Sequence, residues 1–224
     1  MARLGHSGSS TAMRRELFPR GFAGEVMRII LDTWGTFSVP VEVSHENSIT
    51  ALFREALIRA YVAAGRSWFI TLEAPIINSD SGTQEGRNDL RFYPPNHARQ
   101  TVFFAVECKR LRVTTASGFQ HLADKYAGEG IRRFVDGRYC KELPCGGIVG
   151  YVMDSQMDDA LASVLKEIRR PDAGLCFPNQ DGIRTPSGIL QGHKWGIDTR
   201  HLRPGGQVIT LHHVLLGVRY QRML

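Results

Sequence analysis

Glu107 and Lys109 stand two residues apart at the end of the apolar run TVFFAV (residues 101–106), and Asp89 opens the short run before it. Residues two apart on a strand project to the same face, so the carboxylate of Glu107 and the amine of Lys109 lie side by side. If the run from Asp89 pairs with TVFFAV as a hairpin, turning between Tyr93 and Thr101, Asp89 comes close to Glu107 on the neighbouring strand. An ionised carboxylate emerging from a core strand is costly unless compensated, and a divalent cation is one such compensation. Two carboxylates and one ammonium at a point form the set that phosphodiester hydrolysis needs. Mg²⁺ (or Mn²⁺) binds through one or two carboxylates, waters and phosphate oxygens, and it activates water and offsets charge on the phosphate. The lysine orients or deprotonates the attacking water, or pairs with the developing charge. An E-x-K tripeptide alone arises by chance roughly once in a chain this size. Its setting gives it weight: it closes an apolar strand, an acid lies on the strand before, and Glu46 lies on a preceding helix. The bland alternative is a surface ion pair at a strand end.

The elements that must position these groups follow from periodicity. Residues 22–34 carry apolar side chains at Phe22, Val26, Ile29, Ile30 and Trp34, a helical spacing. Residues 37–43 are a strand or an extended link through Pro40. Ser44 is a candidate cap for the next helix, with Glu46 in its first turn; Ile49, Leu52, Phe53, Ala56, Leu57, Ala60 and Tyr61 make its apolar face, and Gly65 ends it. Residues 68–77 read as a strand, 78–86 as a turn, and 89–93 as a strand stopped by Pro94-Pro95. TVFFAV, without polar alternation, belongs in the middle of a sheet. Phe119, Leu122, Tyr126, Ile131, Phe134 and Val135 outline another helix, residues 146–153 a buried strand, 157–169 a helix, and 172–188 a loop; 193–202 and 208–218 read as two strands joined through Pro204-Gly205-Gly206. This order predicts an α/β fold, a mixed central sheet flanked by helices. Residues 1–43 are expected to form an N-terminal arm and short helix, and 44–224 the main domain.

The bulk numbers are those of a globular protein: 224 residues, 42% hydrophobic and 22% charged. No stretch reaches the about 20 apolar residues that span a bilayer, so no membrane partner is expected. The start of the chain lacks an apolar run with a cleavage site, and the four cysteines form no C-x-x-C pair. A cytoplasmic protein with reduced thiols is the expectation, with no zinc site and no disulfide scaffold. A net charge of +6 suits a polyanion without establishing one.

The runs GRNDLR (residues 86–91) and FFAVECKR (103–110) resemble the split active-site motif of the PD-(D/E)XK nucleases, the superfamily of many restriction and repair endonucleases. The run from Tyr126 to Tyr139, followed by GIVGYV, is similar to the helix-strand continuation in some members. The resemblance spans residues 44–155 and a closing strand near 207–218, and it implies a restriction-endonuclease-like αβββαβ core. It also implies that Asp89 and Glu107 are metal ligands, that Lys109 is the catalytic lysine, and that Glu46 matches an extra acidic ligand on the first helix. Ordinary capping is the competing account of Glu46. Asn88 stands where the motif has proline. By the same analogy the substrate is nucleic acid, DNA in the first instance, and the setting is restriction, repair or anti-phage defence. With no room for a large recognition domain, recognition falls to loops, the N-terminal arm, a homodimer or larger assembly, or a partner protein. The alternative is a non-catalytic or partner-gated nucleic-acid-binding subunit on the same fold.

Arg87, Arg91, Arg110 and Arg112 flank the acids and are the candidate phosphate contacts. Lys125, Arg132, Arg133, Arg138 and Lys141 are as readily a solvated face. Gln120 is expected on the helix after the E-x-K strand, where a solvated residue is the favoured reading. His212 and His213, adjacent on a strand, point to opposite faces and cannot share an ion.

Overall fold

A computed structural model of the chain describes residues 15–77, 84–95, 101–178 and 182–221. Helix α1 (Phe22–Thr36), the short strand β1 (Val39–Pro40) and helix α2 (Glu46–Ala63) lead into three successive strands, β2 (Phe69–Ile77), β3 (Gln84–Tyr93) and β4 (Phe104–Leu111). A small hairpin follows, β5 (Val113–Thr115) and β6 (Gly118–Gln120). The next helical stretch, α3, has three parts: an α-turn (Ala123–Lys125), a π segment (Tyr126–Ile131) and a closing α-turn (Arg132–Val135). Strand β7 (Cys145–Val152), helix α4 (Met157–Ile168), and strands β8 (Ile183–Arg184), β9 (Gly196–Leu202), β10 (Val208–Gly217) and β11 (Tyr220–Gln221) complete the order.

Seven strands form one mixed sheet in the order β2-β3-β4-β7-β10-β9-β8. β4, β7 and β10 run parallel in its centre, and the outer pairings are antiparallel. The parallel pairs need crossovers, which α3 supplies between β4 and β7 and α4 begins between β7 and β10. The continuous apolar reading of β4 and β7 is explained by that central place, buried on both faces. One face carries α1 and α2, whose Val26, Met27, Ile30, Ile49, Phe53 and Leu57 pack with Phe104, Val106, Val149 and Tyr151. The other carries α3 and α4, whose Tyr126, Ile131, Phe134, Ala160 and Val164 pack with Ala105, Ile148, Leu211 and Leu215. Helix α1 therefore belongs to the same core as the sheet. No helix among the described residues is long and apolar enough to cross a membrane.

Several expectations change. Phe119 and Gln120 lie in the β5–β6 hairpin, not in a helix; Phe119 is exposed beneath the Arg112 guanidinium, 4.9 Å from its ring centre, and the helix starts after Leu122. Its spacing to Tyr126 mimicked a helical stripe, while Gly118, at φ 121°, makes the reversal that pairs Thr115 with itself. Ser44 is not the cap of α2: His45 holds that position without a side-chain bond. β4 begins at Phe104 rather than Thr101 and continues to Leu111, and β3 reaches back to Gln84, so the acids stand within strands rather than at their ends. Residues 1–14 of the N-terminal arm and 78–83 of the expected 78–86 turn lie outside the described residues, and 84–86 belong to β3 instead.

Candidate active site

The site forms where two strands part. β3 and β4 are paired at Phe92–Phe104, Arg91–Ala105 and Leu90–Val106, and the pairing stops there. Asp89 and Glu107 are the next residues on each strand. Alternation puts Asp89, Glu107 and Lys109 on the α3 face, in line with Ala105 of that core. β4 itself continues against β7 as far as Leu111. Past the last β3 pair, the N–H groups of Cys108 and Arg110 need other acceptors, since an orphaned backbone donor is costly. Two carboxylates take them. Asp89 Oδ2 accepts from Cys108 N at 2.6 Å, and Glu46 Oε2 accepts from Arg110 N at 2.8 Å. The first turn of α2 thus sits at the opening between the strands, which is why a helix on the opposite sheet face can reach this site.

Glu107 is fully buried. Its Oε1 meets the Lys109 amine at 2.8 Å and the Arg133 guanidinium at 2.5 Å, while its Oε2 is buried with no hydrogen-bond partner. The Lys109 amine also donates to Glu46 Oε1 at 2.9 Å and to the Cys108 carbonyl at 3.0 Å. Burial, together with the neighbouring Glu107 charge, pushes Asp89 up to about 7 against the pull of Lys109 and the Cys108 N–H. Burial likewise raises Glu107 above the usual carboxylate range, although Lys109 and Arg133 oppose it. Burial draws the Lys109 amine down, but Glu107, Glu46 and Asp89 outweigh it and hold the amine above the ordinary lysine range. Carboxylates that burial keeps from ionising gain from any positive charge brought beside them.

The α3 side closes the site. The π segment brings Gly130 over the strand, where a Cβ would lie 3.5 Å from Lys109 Cγ and 3.9 Å from Glu107 Cγ. Single π-turns recur at functional sites because they shift the phase of the residues that follow. Here Arg133, two residues past that segment, reaches back to Glu107 and to the Tyr139 hydroxyl at 3.1 Å. Tyr139 donates in turn to the Arg87 carbonyl. Arg203, buried on the β9–β10 connection, donates to the carbonyls of Phe134, Tyr139 and Cys140 at 2.9 Å and of Lys141 at 3.0 Å, fixing the segment that carries Arg133 and Tyr139. Nothing in the sequence sets Arg133, Tyr139 or Arg203 apart as part of the site. Arg133 stands among other basic residues, and only tertiary placement separates it.

The arginines expected to hold phosphate are mostly committed elsewhere. Arg112 pairs with Asp154 at 2.9 Å and Asp159 at 3.5 Å. Arg91 donates to Asn88 Oδ1 at 2.6 Å and lies 4.2 Å over the Phe103 ring. Arg110 donates to the Ser44 carbonyl at 2.7 Å. Arg87 is exposed and meets Glu73 at 3.0 Å in a surface pair that competes weakly with other anions. His212 and His213 do fall on opposite faces: His212 bonds Asp198 at 2.8 Å, and His213 bonds Tyr126 at 3.0 Å and Thr199 at 2.7 Å. All four cysteines are free thiols.

No known protein family, characterised protein or solved structure matches the chain. Among the described residues no group of three or more His, Cys, Asp or Glu side chains is set to hold a metal ion. The three-carboxylate set of Asp89, Glu107 and Glu46 is therefore not formed, and both Glu46 oxygens are taken by Lys109 and Arg110. Asp89 and Glu107 are the remaining pair. The unpartnered, buried Glu107 Oε2 fits a hard cation that takes one or two carboxylates and completes its shell with water.

Proposed function

We propose that the chain is a divalent-metal-dependent nuclease built on a restriction-endonuclease-like core, hydrolysing phosphodiester bonds in DNA. The observation that supports this best is the meeting of Asp89, Glu107 and Lys109 at the parting of β3 and β4, with one buried oxygen of Glu107 left without a partner. The order α2, β2, β3, β4, α3, β7, with the β5–β6 hairpin inserted after β4, is compatible with the αβββαβ succession the resemblance implies. Asp89 and Glu107 would hold Mg²⁺ or Mn²⁺, which supplies an activated water and charge neutralisation at the phosphate. Lys109, clamped between Glu107 and Glu46, presents a protonated amine that orients the attacking water and offsets negative charge growing on the phosphate. Arg87 and the exposed Lys125, Arg132 and Arg138 remain to contact backbone phosphates without reading bases. Four free thiols suit the cytoplasmic setting that goes with this reading.

The test is cleavage of plasmid, linear duplex, single-stranded DNA and RNA with and without Mg²⁺ or Mn²⁺, with Lys109→Ala alongside. Cleavage of DNA that requires the cation and falls by about a hundredfold or more in Lys109→Ala is expected. Equal cleavage by Lys109→Ala would leave that lysine a structural ion-pair partner. The second reading, a partner-gated or non-catalytic nucleic-acid-binding subunit, draws on the Arg133–Glu107 pair, which already neutralises the principal acid. It predicts metal-independent DNA binding and no turnover of any of these substrates.

A further inference from the structure

Glu107 receives two cations on the same oxygen, Lys109 at 2.8 Å and Arg133 at 2.5 Å. The two differ in what else they hold. Lys109 has a second anion in Glu46 at 2.9 Å. Arg133 has a neutral second partner, the Tyr139 hydroxyl, and among the described residues Glu107 is the only carboxylate at ion-pair distance from it. They differ in exposure too: the Arg133 side chain is 32% exposed, Lys109 9% and Glu107 not at all. Arg133 is therefore the more solvent-open of the two cations on the buried acid, and a substrate can reach it without first displacing Lys109.

We infer that Arg133 is a further catalytic residue of this site, exchanging Glu107 for the scissile phosphate when that carboxylate turns to a divalent cation. The inference rests on the nuclease reading above. Charge balance supports it. With Asp89, Glu107 and Glu46 all ionised, the form that binds a cation, Lys109 and Arg133 leave one net negative charge. A bound divalent cation would turn that into one net positive charge, which a phosphodiester would cancel. A guanidinium beside a carboxylate already shared with a metal is poorly placed, whereas one phosphate offers it two oxygens for its planar fork. The exchange needs only the side chain to turn. Its backbone is fixed by Phe134 and Val135 in the core, by the Tyr139 N–H donating to the Arg133 carbonyl at 2.9 Å, and by the Arg203 clamp.

The experiment compares the parent with Arg133→Gln and Arg133→Lys in three measurements. The first is Mn²⁺ titration by calorimetry without nucleic acid. Arg133→Gln should bind Mn²⁺ as tightly as the parent or a few-fold tighter, because a competing cation has left Glu107. The second is binding of a labelled DNA duplex by fluorescence anisotropy in Ca²⁺, where Arg133→Gln should be weaker by about tenfold. The third is cleavage in Mg²⁺, where kcat should fall by about a hundredfold in Arg133→Gln, with Arg133→Lys between it and the parent. Loss of Mn²⁺ binding in both folded variants would mean that Arg133 only shapes Glu107, and would overturn the inference. So would parental kcat in Arg133→Gln while the parent cleaves. A parent that cleaves nothing in any divalent cation refutes the nuclease reading itself, a result distinct from failure of the Arg133 variants alone.

Discussion

Glu46 occupies the first turn of α2, where a carboxylate is ordinary for a helix start. Its two oxygens nevertheless reach across to Lys109 and to the Arg110 N–H, so it acts on the site by holding a catalytic candidate in place. Glu46→Gln keeps an acceptor for Arg110 N–H but gives up the charge that holds Lys109. A fall in kcat of about ten- to a hundredfold with unchanged Mn²⁺ affinity is expected, the size typical of groups that orient ligands from behind. A parallel loss of Mn²⁺ binding would return Glu46 to the role of third ligand. Asp89, Glu107 and Lys109 were legible because strand alternation is a rigid rule and E-x-K needs only two residues of it. The direction of Arg133 was not legible. It lies 26 residues from Glu107, and the π segment between shifts the helical phase, so a 3.6-residue period misplaces everything after Gly130.

Strand β7 decides how closely α3 can sit on the sheet. A Cβ on Gly146 would lie 2.4 Å from Phe134 Cε1, and one on Gly150 would lie 2.6 Å from Leu215 Cδ2 and 2.7 Å from Leu111 Cδ1. Gly146→Ala should therefore destabilise the fold by about 1–3 kcal/mol, the usual cost of forcing extra volume into a packed core. Because Phe134 neighbours Arg133, the same variant should also lower cleavage. Urea unfolding checks the first point, and an unchanged midpoint would show that α3 does not rest on this strand as described. The central strands and long helices were readable because long apolar runs and one-sided stripes have few alternative interpretations. Shorter pieces were not. The β5–β6 hairpin spans residues 113–120, and its Phe119 happened to stand three residues before Leu122 and seven before Tyr126. Which face of the sheet α2 covers, and that its first turn reaches the other face, depends on where β3 leaves β4, and no local pattern encodes that.

Two buried polar clusters tie the whole molecule to pH, in opposite senses. On the α3 face, Tyr126, His213, Thr199 and His201 form one hydrogen-bonded chain. Burial holds His213 down at about 3 and His201 at about 4. The unfolded chain binds these protons near pH 6.5, so their contribution to stability is complete above that pH and is lost as pH falls toward 4 for His201 and toward 3 for His213. Each histidine changes stability by up to about 1.4 kcal/mol per pH unit within that window. Asp89 and Glu107, raised by burial, work the other way, and their contribution is lost as pH rises from about 4 through 7. The two effects partly cancel in the parent, so they are read from variants. His201→Gln should gain stability relative to the parent as pH drops from 6.5 to 4, and Asp89→Asn should gain relative to it as pH rises from 4 to 8. Denaturant midpoints across that range test both, and pH-independent differences would contradict the burial assigned to each group.

Whether Asp89 and Glu107 hold a divalent cation, with Lys109 beside it and not ligating it, is settled most directly by calorimetric titration of Mn²⁺ into the parent, Asp89→Asn, Glu107→Gln and Lys109→Ala, each checked for folding by circular dichroism. The parent should show a saturable site that Asp89→Asn and Glu107→Gln lose or weaken severely. Lys109→Ala should keep it, or tighten it as a nearby positive charge disappears. A parent without saturable binding, or a folded Lys109→Ala that loses it as fully as Glu107→Gln, would contradict the site as assigned.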